Sequence, residues 1–233
     1  MFQLKSRCVL LMVLGLCVGG MSAEEHPLSV LMGQLPKLKV AEAVPSTVPD
    51  TIQGIIPGLS IVKHKRIYFD GKVIFDQGPK DGLEAIACMP GGKNHESMLV
   101  LESGNGALIK SLFIAHLHMK DGTPSPQDSG LPARGYPIRV VLRWQPDAVI
   151  DPDTWVERDV STLVRDRVSG QVYPPLPYVY TGSRFLAQVI KDKNGVEQER
   201  EIFMLDSTKT LIANYDEADA LIASPFALAQ FDV

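Results

Sequence analysis

The sequence predicts an α+β fold: a largely antiparallel, strand-rich domain with one clear helix at about 106–119 and one or two short helices. Three observations carry that expectation. Residues 136–144 alternate, with Ile138, Val140, Leu142 and Trp144 on one side and Arg139 and Arg143 on the other, the two-residue period of a strand. Asp70-Gly71 and Asn194-Gly195 separate short apolar runs, and Asx-Gly suits the tight turn that matches strand twist. Residues 106–119 contain no proline and carry a helical period instead.

The elements follow in chain order. Lys5 and Arg7, the apolar stretch 8–18 and the small residues ending at Ala23 read as a secretory signal cleaved near Ala23, although Met21 is unusual three places before that cut. The apolar stretch is about half of the roughly 20 residues that a membrane-spanning helix needs. Two other readings stay open. One is a lipoprotein acylated at Cys17, against which Leu16 stands; the other is a retained, uncleaved anchor. Residues 24–60 carry Pro27, Pro36, Pro45, Pro49 and Pro57 and read as a Pro-rich arm or linker, since proline removes a donor and fixes φ. Residues 61–233 are expected to form a single globular domain.

Within that domain, 66–69 and 72–75 read as a hairpin about Asp70-Gly71, and 84–89 and 97–102 as strands joined by a glycine-rich connection. The helix has Leu108, Leu112, Ala115 and Met119 as its stripe, widened by Ile109 and Phe113, with Asn105 or Ser103 able to cap it. A loop at 121–135 precedes the alternating strand. A short helix at 159–167, a turn at Ser169-Gly170, strands at 179–180, 185–190, 202–205 and 211–213, and a short helix near 217–223 complete the reading.

The chain has 233 residues, three cysteines and a formal net charge of −4. Losing a leader removes Cys8 and Cys17 and leaves Cys88 alone, so no internal disulfide is available and a hydrophobic core must hold the fold. The acidic balance gives no electrostatic case for nucleic acid or an anionic membrane surface. No second apolar run reaches spanning length, so the mature chain is expected to have no transmembrane segment. Its expected location is periplasmic or extracellular.

Chemistry concentrates at 90–97, Pro-Gly-Gly-Lys-Asn-His-Glu-Ser. A phosphate loop is excluded: Gly92-Lys93 is followed by Asn94, and Ile86 stands where the first glycine belongs. A looser backbone nest for an anion, or a plain strand connection, remains. For a metal, His95-Glu96 lacks the second histidine of a zinc-protease helix, Leu99 occupying its place. His116 and His118, placed on a helix, lie about 200° apart. His95, Glu96 and His116 are the metal candidates, with packing and solvation as the plainer roles for His116 and His118. Cys88 is expected to point into the core, where cysteine acts as a small hydrophobe. Ser97 and Ser183 lack the Gly-x-Ser-x-Gly elbow. Arg134, Arg139 and Arg143, with Lys93, form either a cationic patch or a solvated strand face.

Several segments carry a resemblance. Phe69-Asp70-Gly71, Leu83-Glu84 and the Gly91–Ser97 motif, then 165–170 with Tyr180-Thr181-Gly182-Ser183-Arg184, and Leu211-Ile212-Ala213 before 216–221, resemble the bacterial YdjY-type domain over residues 61–233. The resemblance implies an exported bacterial domain and assigns it no reaction. It marks Gly91, Gly92, Lys93, His95, Glu96, Ser97, Thr181, Gly182, Ser183 and Arg184 as ligand-binding candidates and suggests that the two motifs are adjacent in space. Some relatives carry iron–sulfur segments; such clusters take about four cysteine ligands, and this chain departs there, so no iron–sulfur cluster or other cofactor is expected. The resulting expectation is a non-enzymatic binding or accessory module for an unknown small molecule or protein. Its rivals are a metal-assisted enzyme using His95 and Glu96, and a purely structural motif.

Overall fold

The computed structural model describes residues 8–14, 44–45, 52–62, 66–74, 83–124, 131–145, 155–165, 177–215 and 217–225. The expected turn at Ser169-Gly170, the acylation candidate Cys17 and the cut near Ala23 lie outside them. The strands are β1 (Cys8–Leu14), β2 (Val44–Pro45), β3 (Ile52–Ile56), β4 (Leu59–Val62), β5 (Arg66–Val73), β6 (Ala85–Cys88) and β7 (Ser97–Leu101). Helix α1 (Gly106–Ala115) leads to β8 (Tyr136–Trp144), β9 (Val156–Asp159) and a 3-10 turn over Val160–Leu163. Then come β10 (Tyr178–Tyr180), β11 (Phe185–Lys191), β12 (Glu197–Phe203), α2 (Met204–Thr208), β13 (Thr210–Ala213) and β14 (Ile222–Ala223). The strand-rich, mainly antiparallel α+β class is as expected.

The large sheet runs β2-β9-β8-β10-β14-β13-β6-β7-β5-β4-β3, with only β6–β7 and β13–β14 parallel. Strand β1 pairs with both β5 and β8 and so closes a ring of strands, β1-β5-β7-β6-β13-β14-β10-β8. The core gathers Ile67, Phe69, Leu99, Val140 and Leu211 with Phe113 and Tyr180, whose rings stack 5.2 Å apart. Strands β11 and β12 form a separate two-stranded ribbon that turns at Asn194-Gly195 as expected. Among the described residues no helix is long and apolar enough to cross a membrane.

Several expected elements differ. Asp70-Gly71 does not turn: β5 runs straight through it, because β1 pairs along 66–71 on one edge while β4 along 66–69 and then β7 at 71–73 pair on the other. Gly71 is buried there, 3.0 Å from Val100 O at the point where a Cβ would sit. Long-range pairing has overridden local turn preference. The sheet also begins earlier than residue 61, since β3 and β4 form a hairpin within and beyond the proline-rich segment.

Helix α1 is capped by Asn105, whose Oδ1 accepts from Leu108 N at 2.8 Å, and it ends at Ala115 rather than 119. Past the C-cap His116 the turn widens: Leu117 N donates to Leu112 O at 3.4 Å, Met119 N donates to Phe113 O at 3.2 Å, and His118 takes the left-handed φ of 56°. Ile109 and Phe113 form the buried stripe, Leu108 and Leu112 are half-buried, and Ala115 is exposed. The helix expected near 217–223 is a turn followed by β14, drawn into the core between β10 and β13.

Strand β8 alternates as far as Arg139, and then Val140 to Arg143 are all buried. Strand β9 covers the outer side: Arg143 is 3 % exposed, 4.4 Å from the Trp155 ring and 3.7 Å from Glu157 Oε1, while Arg139 pairs with Asp159 at 3.0 Å. The expected cationic patch is therefore dismantled. Its two central arginines are matched by carboxylates, and Arg143 is not solvated.

Candidate functional site

The 90–97 segment connects two strands that run parallel, with Ala85↔Ser97 and Cys88↔Val100 in register. The chain must therefore travel back along the whole of β6 in eight residues, where parallel neighbours ordinarily use a dozen or more. That requirement explains the composition. Gly91 adopts φ 81°, and a Cβ on Gly92 would sit 2.7 Å from Lys209 Cβ and 3.1 Å from Cys88 Cβ. The return is stitched internally: Gly92 N donates to Met89 O, Asn94 N to Gly92 O, and Glu96 N to Lys93 O. Ser97, fully buried, donates its hydroxyl to Lys93 O at 2.7 Å.

Lys93 is turned inward from this loop. Its Nζ donates to Glu84 Oε2 and to Tyr215 Oη, each at 2.9 Å, and lies 3.9 Å from Glu96 Oε2 and 5.5 Å from the Tyr215 ring centre. Burial works against its charge, but the bonds to Tyr215 and Glu84 more than offset this and raise its pKa. Burial, followed by the nearby Glu217 charge, pushes the Tyr215 phenol up. Glu217 is 9 % exposed, and burial raises its carboxyl although Lys93 pulls the other way. Burial and the neighbouring Glu84 raise Glu96.

His95 behaves differently. Its side chain is 77 % exposed and its Nε2 stands 3.1 Å from Glu96 Oε1, so the loop presents it to solvent with Asn94 and Gly91 also exposed. His116 lies at the end of α1, half-buried, and His118 is exposed beyond it. Among the described residues no three His, Cys, Asp or Glu side chains form a group that could hold a metal ion. Cys88 is buried as expected. Its Sγ contacts Asn94 Oδ1 at 3.3 Å, and burial raises its pKa, which keeps it a thiol and a poor nucleophile.

The second motif is also built inward. Thr181 Oγ1, fully buried, donates towards Ala220 O and Leu221 O at 2.8 and 3.0 Å. Gly182 takes φ 89° where any Cβ would collide with Asp121. Ser183, at φ 58°, donates its hydroxyl to Asp219 O at 2.6 Å, and Arg184 Nε donates to Asp219 Oδ1 at 2.5 Å. Lys110 on α1 pins this turn, reaching Gly182 O at 2.8 Å and Asp121 Oδ2 at 2.7 Å beneath the Phe185 and Phe203 rings.

The two motifs are thus joined through a third segment. Lys93 reaches Tyr215, and Ser183 with Arg184 reaches Asp219, so both brace the stretch between β13 and β14. Sequence reasoning assigned no role to Glu84, Tyr215, Glu217, Lys110 or Asp121. Glu84 and Glu217 do fall within the segments that carry the resemblance, but no spacing rule ties residue 84 to residues 215 and 217. No family model matches the chain, and no curated protein and no solved structure matches it either.

Proposed function

We propose that this chain is an exported bacterial binding or accessory module of the YdjY type, non-enzymatic, whose contact surface is the outer edge of the 91–97 loop, with Arg184 the exposed residue of the Thr181–Arg184 motif. The observation that carries this reading is the division of labour inside the loop. Lys93, Ser97 and the Asn94 side chain are engaged in internal bonds, whereas His95 stands outward on a backbone that those bonds hold in place. A rigid polar tip over a compensated base suits recognition, since its side chains and backbone are ordered before a partner arrives. Acid–base or nucleophilic work needs a group poised near neutral pH. Here the bonds to Tyr215 and Glu84 raise the Lys93 pKa against the effect of burial, and burial raises those of Tyr215 and Cys88, all three away from that range.

A structural role for part of the motif has its own support in the Lys93–Glu84–Tyr215 cluster, and the two readings divide the residues between them. The test uses purified, tag-free protein and its His95→Ala variant on panels of esters, phosphates and peptides, with metal analysis alongside. The expected result is no turnover by either protein, no stoichiometric metal, and a stability change within about 0.5 kcal/mol for the exposed histidine. Turnover that disappears in His95→Ala, or one metal per chain lost in the variant, overturns the proposal in favour of a metal-assisted enzyme.

A further inference from the structure

Strand β1 carries an unusual share of the fold. It pairs antiparallel with β5 from Cys8↔Gly71 to Val13↔Arg66, and antiparallel with β8 from Cys8↔Trp144 to Leu14↔Ile138. The same residue often faces both walls: Leu10 is in register with Phe69 and Leu142, and Met12 with Ile67 and Val140, four buried core positions. Without β1 the walls would stand about 10 Å apart, twice the spacing of neighbouring strands. Each wall is anchored on its far edge, β5 by β4 and β7, and β8 by β9 and β10. A gap one strand wide, with unpaired backbone groups on both sides, invites a strand.

Residues 8–14 are also the apolar centre of the expected leader. A chain processed near Ala23 loses the strand that closes its sheet. We propose that the cleft between β5 and β8 is a strand-accepting site, which in the processed protein takes an extended, uncharged aliphatic segment of a partner polypeptide by β-augmentation. The resident segment shows what fits: Cys-Val-Leu-Leu-Met-Val-Leu, seven residues without charge, proline or glycine. Main-chain bonds to two edges supply affinity, and alternate positions supply selectivity. The position held by Val13 lies between Arg66 and Arg139, so a cation there is disfavoured. The inference rests on the export reading of the proposed function but does not involve its loop.

The test starts from the full-length chain with a specific protease site placed after Ala23, cut after folding. The expected result is that the released fragment stays with the body through gel filtration. A labelled peptide of residues 5–15 carrying Cys8→Ser should then exchange into the cut protein saturably. Leu11→Pro in that peptide should weaken binding at least tenfold, and Val13→Lys should weaken it more than Val13→Glu. A fragment that leaves a body unable to bind the peptide overturns the proposal, as does equal binding of the Leu11→Pro peptide. Exported protein whose intact mass still includes residues 8–14 also overturns it, because the cleft would then be permanently filled by its own chain. Peptide binding that survives in His95→Ala separates the two ideas: the cleft can stand while the loop reading fails, or the reverse.

Discussion

Lys93 Nζ lies 2.9 Å from Glu84 Oε2, an ion pair between a loop and the residue preceding β6, with the Glu84 side chain 9 % exposed. The pair fastens the start of the returning loop to the strand it runs back along, and Tyr215 adds a third anchor from beyond β13. Lys93, a ligand-binding candidate by sequence, is therefore turned inward as a tie between the loop and the sheet.

Removing that tie should be felt in stability. Lys93→Met leaves Glu84 and Glu217 without their cation, and the loss should be about 2 kcal/mol, moderated because Lys93 remains one-third exposed. Chemical denaturation measures it. Adding Glu84→Leu to Lys93→Met should recover part of the loss, because an uncompensated buried carboxylate is removed with it.

Stability should also depend on pH in a defined direction. The Glu217 carboxyl has a folded pKa raised above its ordinary 4.5, mainly by burial. The folded state therefore holds that proton more tightly than the unfolded chain does. Its contribution is fully present below about 4.5 and is lost as pH rises through the raised value. Glu96 acts in the same sense. Thermal unfolding across acid to neutral pH should show this decline, and Glu217→Gln should flatten it.

The second motif gives a parallel expectation. The Lys110 side chain is 12 % exposed and bonds both Asp121 and Gly182. Lys110→Met should destabilise the protein by about 2 kcal/mol. Hydrogen exchange should quicken first at residues 181–184, where the lost bond held the turn. Uniform quickening across β6 and β7 would place the effect elsewhere.

Much of the local structure was legible from residue patterns. Residues 136–144, the Asn105 cap and the Asn194-Gly195 turn follow from alternation, capping and turn chemistry acting within a few residues. The misreadings share one cause. Asp70-Gly71 stays extended because β1 pairs it on one edge while β4 and β7 hold the other, and Arg143 is covered by β9 from a distant segment. The site followed the same rule. The cluster at 90–97 was visible, but its direction was not, because Glu84 and Tyr215 reach Lys93 through strand order. The suggested closeness of the two motifs resolves into a shared neighbour, the segment from Tyr215 to Asp219.

The inward tie of Lys93 is tested most directly by competitive acetylation of the folded protein with trace acetic anhydride at about pH 9, read by mass spectrometry. Only the neutral amine reacts, and a raised pKa lowers its population by tenfold per unit. Lys93 should therefore be labelled at least tenfold more slowly than the exposed Lys72 and Lys120. Labelling of Lys93 as fast as those two would contradict the account, because it would mean an ammonium turned to solvent and available as a site.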